Sequence, residues 1–427
     1  KASDDIFGTK HFSIKSEIFV FVCNRCTSYI SSSEYNITVG LDISKLRPEG
    51  SPVNNSAGTT TGAWSFSDFY SYVCRMIGQN GRRGALMITM DIRHPDIENF
   101  VNMKRDLTKV TGANVSVRVT DDFMNAVRSD DEYTLHFPCG SDNPDYKKVV
   151  SARELWDSIV DCATKTAEPG LLMWDNITKY LPAHEYSDSG FETVCTNPCA
   201  EIPLSEYDSC RLISVNLKNF VISPFTDDAY FDFNKFEEVA RAAMRMSDDL
   251  VELEIEKLSG IIEGADTSDE VALWEKLLGA CSDGRRTGLG THGLADALAR
   301  LMLPYDSDEA IEVVGRIYSL YKNASYDESC NLSEERGSFK VFDWSVEKDN
   351  LFINSLDDRV IDRIRSTGRR NISILTNAPT GSVSIMSQTS SGLEPVFRNS
   401  YTRRRKISHN ESSVEPDFVD SLGDKWL

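Results

Sequence analysis

Short runs of β-branched and apolar residues alternate with stretches whose apolar residues recur every three or four positions, along almost the whole chain. VFVCNRCTSYI (20–30), ITVGLDI (37–43) and NVSVRV (114–119) read as strands, and GRRGALMITMDI (81–92) as a Gly/Arg loop entering a strand. Residues 64–80, 151–165, 234–257, 268–281, 291–302 and 307–327 carry helical spacing, and Ser65 or Ser67 is the expected N-cap of the first. Thr120, Asp121 and Asp122 open another helix directly after NVSVRV. NISILTNAPTGSVSIM (371–386) reads as a buried strand, a Pro/Gly turn and a further apolar segment. Strands alternating with helices predict an α/β fold, one domain with many parallel strands, and 427 residues suffice for a large core. We find no internal repeat or low-complexity tract.

Charge and cysteine usage narrow the class. A net charge of −20 argues against a non-specific nucleic-acid binder, because phosphates would be repelled. It leaves room for a nucleotide in a local basic pocket. No apolar run reaches the roughly 20 residues that span a bilayer, and the first residues lack a signal-peptide core. The expectation is a cytoplasmic protein without a membrane or nucleic-acid partner. Ten cysteines spread over so long a chain do not form a disulfide framework. Only Cys23 and Cys26 form a CxxC pair, the six histidines show no HExxH pattern, and no metal site is expected.

TNPCAEIPLSEYDSC (196–210) is the stretch with the most chemistry. If it is extended, Asn197, Cys199 and Glu201 face one side, because strand side chains alternate. Pro198 and Pro203 exclude a regular helix and favour a shaped loop. A carboxylate beside a thiol disfavours the thiolate, so ionic Cys–His catalysis fits poorly. A thiol that loses a hydrogen atom meets no such objection. A buried loop with a capping Asn and an exposed Glu is the plain alternative. NAPTGSVS (377–384) offers backbone N–H groups and hydroxyls to an anion, although it is not a Walker A loop. GQNGRRGA (78–85) sets two arginines in a glycine-rich loop suited to a phosphate or base. RTGLGTHGLADAL (286–298) reads as a close glycine approach leading into a helix, with His292 structural.

Taken in order, GLDISKLRPEGSP (40–52), QNGRRGALM (79–87), DIRHPDIENFVNMKRD (91–106), NVSVRVTDDFM (114–124), NPCAEIPL (197–204), SCRLISVNL (209–217), RRTGLGTHGLADAL (285–298), NAPTGSVSIMSQTSSGLEPVF (377–397) and YTRRRK (401–406) resemble the catalytic subunit of ribonucleotide reductase. Within them APTGSVSIM, SSGLEPVF and YTRRRK most resemble the adenosylcobalamin-dependent enzymes and their close relatives. The resemblance covers about residues 37 to 406. It implies a ten-stranded α/β barrel of two five-stranded halves, with a central finger loop carrying the catalytic cysteine. It also implies one catalytic barrel domain over residues 1–427, with a reduced N-terminal part and no ATP-binding cone recognised.

By position in these motifs, Cys199 becomes the thiyl radical that removes the 3′ hydrogen, Glu201 is the base on the 3′ hydroxyl, and Asn197 bonds the ribose. Loss of the 2′ hydroxyl then oxidises a cysteine pair, Cys210 with Cys26, Cys23 being the reserve. Pro379, Thr380, Gly381 and Ser382, with Ser51, fall on the substrate site, and Gln79, Arg82 and Arg83 on the effector site. The implied helpers are adenosylcobalamin or a radical from a separate metal-containing small subunit, a deoxynucleotide or ATP effector, and an external thioredoxin- or glutaredoxin-type thiol reductant. The implied substrate is a ribonucleoside diphosphate, reduced for DNA synthesis, and the implied assembly a homodimer. An inactive or regulatory nucleotide-binding homologue of the same fold is the alternative. A cysteine-based metal-binding or interaction protein is a third reading.

Overall fold

The computed structural model describes residues 18–21, 38–52, 58–76, 78–79, 82–400, 402, 404–407, 414–420, 423 and 425–427. The first strand is β1 (Ile18–Phe21), and Cys23 and Cys26 lie outside the described residues. β2 (Thr38–Asp42) is followed by helix α1 (Phe66–Met76), a ribbon of β3 (Gly78–Gln79) and β4 (Arg82–Arg83), and then β5 (Ala85–Asp91). Neither serine expected to cap α1 does so by its side chain. The Ser65 hydroxyl donates to Gly62 O at 2.8 Å, and Ser67 Oγ is buried without a partner.

Helix α2 (Ile97–Asn102), β6 (Asn114–Val119), α3 (Asp121–Ser129), a hairpin of β7 (Glu132–Phe137) and β8 (Tyr146–Ser151), α4 (Ala152–Thr166), β9 (Gly170–Met173) and α5 (Trp174–Tyr180) follow. Extended Thr120 precedes α3, and Asp121 and Asp122 in its first turn oppose the positive end of the helix dipole. β2, β5, β6 and β9 form one parallel sheet in that order. Its central strand β5 is buried through Leu86–Asp91, as a parallel strand covered on both faces must be. Ile88, Met90, Val115 and Val117 pack with Ile97 and Phe100 of α2, Phe123 of α3 and Leu155 and Ile159 of α4.

A second sheet has its own core. After β10 (Thr193–Thr196) and β11 (Pro203–Ser205) come β12 (Leu212–Asn216), a small hairpin of β13 (Val221–Ile222) and β14 (Tyr230–Phe231), and the long helix α6 (Phe233–Glu263). The chain continues with α7 (Ser268–Gly284), β15 (Gly288–His292), α8 (Leu294–Arg300), α9 (Asp308–Arg336), α10 (Trp344–Glu347), α11 (Asp358–Thr367) and α12 (Gly381–Ser387). β1 pairs antiparallel with β12, which pairs parallel with β15. The Asp232, Thr267 and Ser307 side chains cap α6, α7 and α9. Phe236, Val239, Ala240, Ala243 and Met244 form the buried stripe of α6 against Ile213, Val215, Leu289 and the buried face of α9.

Two assignments of strand and helix also change. Residues 288–292, partly read as helix, are the buried strand β15, and the helix begins only after Gly293 turns the chain at φ +73°. The run 371–376 is buried or half-buried and pairs with β15 through Leu289 N to Ile374 O (2.8 Å) and Thr376 N to Leu289 O (3.0 Å), yet it forms a single parallel bridge rather than a regular strand. The apolar segment after the turn is helix α12. Among the described residues the two sheets do not close into one barrel, and no helix is long and apolar enough to cross a membrane.

Candidate functional site

The segment holding Asn197, Cys199 and Glu201 is a turn between β10 and β11, not an extended strand. Asn197 N donates to Ile202 O at 3.2 Å and Ala200 N to Asn197 O at 3.0 Å, with Ala200 at φ +66°. Pro198 prevents the ladder from continuing, and a left-handed alanine reverses the chain. The turn rather than strand alternation therefore brings the Asn197 and Glu201 side chains together, with Cys199 between them in the chain. Asn197 is buried, and its amide both closes the turn and reaches the carboxyl. Its Nδ2 donates to Glu201 Oε2 at 2.5 Å, and its Oδ1 accepts from Ile202 N at 3.1 Å. Burial pushes the Glu201 carboxyl above its ordinary value of 4.5, against the Asn197 bond, which favours the ionised form. Cys199 is exposed at the tip.

The turn stands between the two sheets. On one side Thr196 lies against Gly40 of β2, where an added Cβ would sit 2.0 Å from Thr196 O. Asn114 Nδ2, at the start of β6, donates to Pro198 O at 2.9 Å. On the other side Thr376 Oγ1 donates to Glu201 O at 2.7 Å, and Thr376 itself lies so close to Gly290 that a Cβ there would sit 2.0 Å from Thr376 O. Both glycines are needed for close backbone approach. Cys210 is buried beside Ile202, Leu204, Leu212 and Ala378, next to the start of β12.

Ala378 in that cluster brings the 377–384 turn to the cysteine loop. Thr380 holds φ +51° before α12, and its Oγ1 accepts from Gly392 N at 2.8 Å. The Ser391 hydroxyl bonds Pro379 O, and Gly381 and Ser382 form the first turn of α12. Ser51 lies on the 47–60 loop, where Thr60 N donates to Ser51 O at 2.9 Å. Asp96 pins both ends of that loop, accepting from Glu49 N at 3.0 Å and Ala63 N at 2.7 Å. Gln79 pairs with Arg82, and Gly78 with Arg83, in the ribbon that leads into β5. Two residues further on, Met87 pairs with Gly40, the support of Thr196.

A cavity of about 770 Å³ opens at the stem of the turn and involves residues that motif reading missed. Asp42, Asp91 and Arg118, at or near the carboxyl ends of β2, β5 and β6, line it with Arg93, Trp174 and Cys195. Arg118 lies within 3.3 Å of Asp42 and 3.4 Å of Asp91, faces the Trp174 ring at 4.6 Å, and donates to Val194 O of β10 at 3.2 Å. Burial opposes ionisation of Asp91, but Arg93 and Arg118 outweigh it and hold its carboxyl below the usual range. Burial dominates at Asp42, whose carboxyl is pushed up. The Cys195 thiol is pushed up to about 12 by burial. The carboxylates at strand ends were the available signal, but nothing local paired them with Arg118. His292 is buried between Ser214 Oγ (2.8 Å) and Ser387 Oγ (3.2 Å), and burial brings it down to about 4, so it is neutral and structural.

Comparison with known proteins matches the chain to one family. Residues 22–426 fit the model of the ribonucleotide reductase barrel domain. A vitamin B12-dependent ribonucleoside-diphosphate reductase of Thermoplasma acidophilum is 33% identical over 392 residues, covering 89% of this chain and 44% of the relative. One from Mycobacterium tuberculosis is 34% identical over 369 residues, 85% of this chain and 46% of the relative. The ribonucleoside-diphosphate reductase large subunit of variola virus is 27% identical over 429 residues, 91% of this chain and 52% of the relative. The chain thus spans about half the length of the curated relatives it matches. With the asparagine, cysteine and glutamate assembled on one loop between two sheets, the chain belongs to the ribonucleotide reductase family, in its barrel domain.

Proposed function

We propose that this chain carries the radical reduction of ribonucleoside diphosphates to deoxyribonucleotides, with Cys199 as the hydrogen-abstracting thiol. The observation that carries the reading is the turn itself: an exposed thiol, a buried amide and a carboxyl with raised proton affinity, held together on one loop. Glu201 takes the proton of the 3′ hydroxyl once ionised, and Asn197 orients both that carboxyl and the ribose. Cys210, buried in one cluster with Ile202, supplies one reducing thiol as the 2′ hydroxyl leaves as water. Cys26 or Cys23, outside the described residues, supplies the second, and the pair ends as a disulfide that an external thioredoxin- or glutaredoxin-type thiol reopens. Pro379, Thr380, Gly381 and Ser382, with Ser51, take the substrate. The two sheets are read as halves of a ten-stranded barrel, within a single domain over the chain.

The exposed Cys199 fits a radical source that approaches from outside the turn. Adenosylcobalamin is favoured by the two relatives named as vitamin B12-dependent, and a small metal-containing subunit by the viral relative named as a large subunit. When bound, either source supplies one-electron oxidation of the thiol. Gln79, Arg82 and Arg83 are assigned to a deoxynucleotide or ATP effector. Helix α1 directly precedes the ribbon that carries Gln79, Arg82 and Arg83 and exposes Phe66, Phe69, Tyr72 and Met76 along one side, which supports a homodimer formed there. A cytoplasmic location completes the reading.

Cys199→Ser is the test. Nucleotide binding is retained while deoxynucleotide formation disappears with either radical source. Turnover surviving the change refutes the mechanism, and nucleotide binding without turnover in the unsubstituted chain, with either radical source, favours a regulatory homologue.

A further inference from the structure

We propose that Asn114 and Thr376 are positioning residues that clamp the cysteine loop from the two sheets and so set where the Cys199 thiol stands relative to the substrate. The inference rests on the reading of Cys199 as the abstracting thiol. The loop's own bonds, from Asn197 to Ile202 and Glu201, define its internal shape but not its place between the sheets. Its stem is held by Arg118 through Val194 O. Near the tip, two side chains from distant parts of the chain hold the carbonyls on either side of the Cys199–Ala200 pair.

Asn114 Nδ2 donates to Pro198 O at 2.9 Å, and Thr376 Oγ1 to Glu201 O at 2.7 Å. Asn114 begins β6 of the four-stranded sheet, where Met87 of β5 is its ladder partner. Thr376 is tied to β15 of the other sheet by its own N–H on Leu289 O. Each sheet therefore contributes one anchor. The Pro198 carbonyl belongs to the peptide that leads into Cys199, so its orientation aims the cysteine Cα–Cβ bond. The Glu201 carbonyl is held at the main chain while Asn197 holds the same residue at its carboxyl. One residue is thus located at both ends.

Asn114 is exposed and Thr376 half-buried, so neither bond contributes much to folding. What they supply is geometry. Hydrogen-atom abstraction requires the sulfur close to a single C–H bond, and a shift of about 1 Å costs roughly 100-fold in rate.

The test uses Asn114→Ala, Thr376→Val and Thr376→Ser in the full chain. Amide exchange at Ala200 and Ile202 is followed alongside kcat, KM and the isotope effect with 3′-deuterated substrate. The Ala and Val variants are expected to speed exchange in the loop while leaving β5 unchanged. They are also expected to lower kcat about 10- to 100-fold at unchanged KM and to raise the isotope effect as abstraction becomes limiting. Thr376→Ser keeps the hydroxyl and restores all three. Unchanged exchange and kcat overturn the proposal. So does a loss of kcat that tracks melting temperature with an unchanged isotope effect. Cys199→Ser in parallel separates the two ideas, since turnover retained there refutes the function rather than the clamp.

Discussion

Replacing Asn197 by alanine probes the centre of the site, because that one side chain serves both the turn and the base. The substitution removes the Nδ2 bond to Glu201 Oε2 and leaves the Ile202 N–H, on a buried residue, without the Oδ1 that accepts it at 3.1 Å. An orphaned buried donor costs about 1–3 kcal/mol. Unfolding entropy near 2.1 cal/mol/K per residue gives about 0.9 kcal/mol/K for a chain of this length, so the melting temperature is expected to fall by about 1–3 °C. The effect on the carboxyl has a definite sign. Burial already holds Glu201 above 4.5, and the Asn197 amide pulls it back by favouring the charged form. Without the amide the carboxyl rises further. A base must be ionised to work, so the acid limb of kcat/KM moves to higher pH. Thermal melts and the pH profile of nucleotide reduction measure both effects. An acid limb that stays in place or moves down would show that Asn197 does not govern the carboxyl.

Three further changes test a support of the loop, its control and the acid stability of the fold. Gly40→Ala sets a Cβ 2.0 Å from Thr196 O, a backbone atom with little room to yield, and is expected to cost about 1–3 kcal/mol and displace the loop. Gly279→Ala, in α7 with no atom within 4 Å of the new Cβ, is the control and is expected to stabilise by up to about 1 kcal/mol in the same melts. His292→Gln tests acid stability. A histidine brought down to about 4 from 6.5 binds its proton better unfolded, so stability is lost as pH falls from about 6.5 to 4, on the order of 2–3 kcal/mol. The glutamine is expected to shrink that loss, read from denaturant midpoints at pH 7 and pH 4.5. An unchanged slope would assign the acid sensitivity elsewhere.

Much of the architecture was legible locally. The β-branched runs at 37–43, 84–92 and 114–119 became parallel strands, and Thr120 with its two aspartates opened a helix where those residues stabilise one. Pro198 and Pro203 announced a shaped loop, and the cysteine motif pointed to it. The same local reasoning failed at β15, because Gly288 and Gly290 carry no apolar signal for a strand that needs them small against Leu212 and Thr376. For Asn197, Cys199 and Glu201 it gave a shaped loop without its geometry, since nothing in the residues alone requires Ala200 to turn left-handed.

The sequence by itself determined the alternation of strands and helices, the composition of the reactive loop and the ends of several helices. These depend on residues within a few positions of one another, where periodicity and capping act. Only the tertiary structure decided that Asn114 and Thr376 hold that loop, from 84 and 175 residues away from the carbonyls they bond. It likewise decided that Arg118 joins Asp42, Asp91 and the stem of the turn. A pattern of burial reports that a face is covered and not by what, so partners that meet only after both sheets have formed leave no local trace.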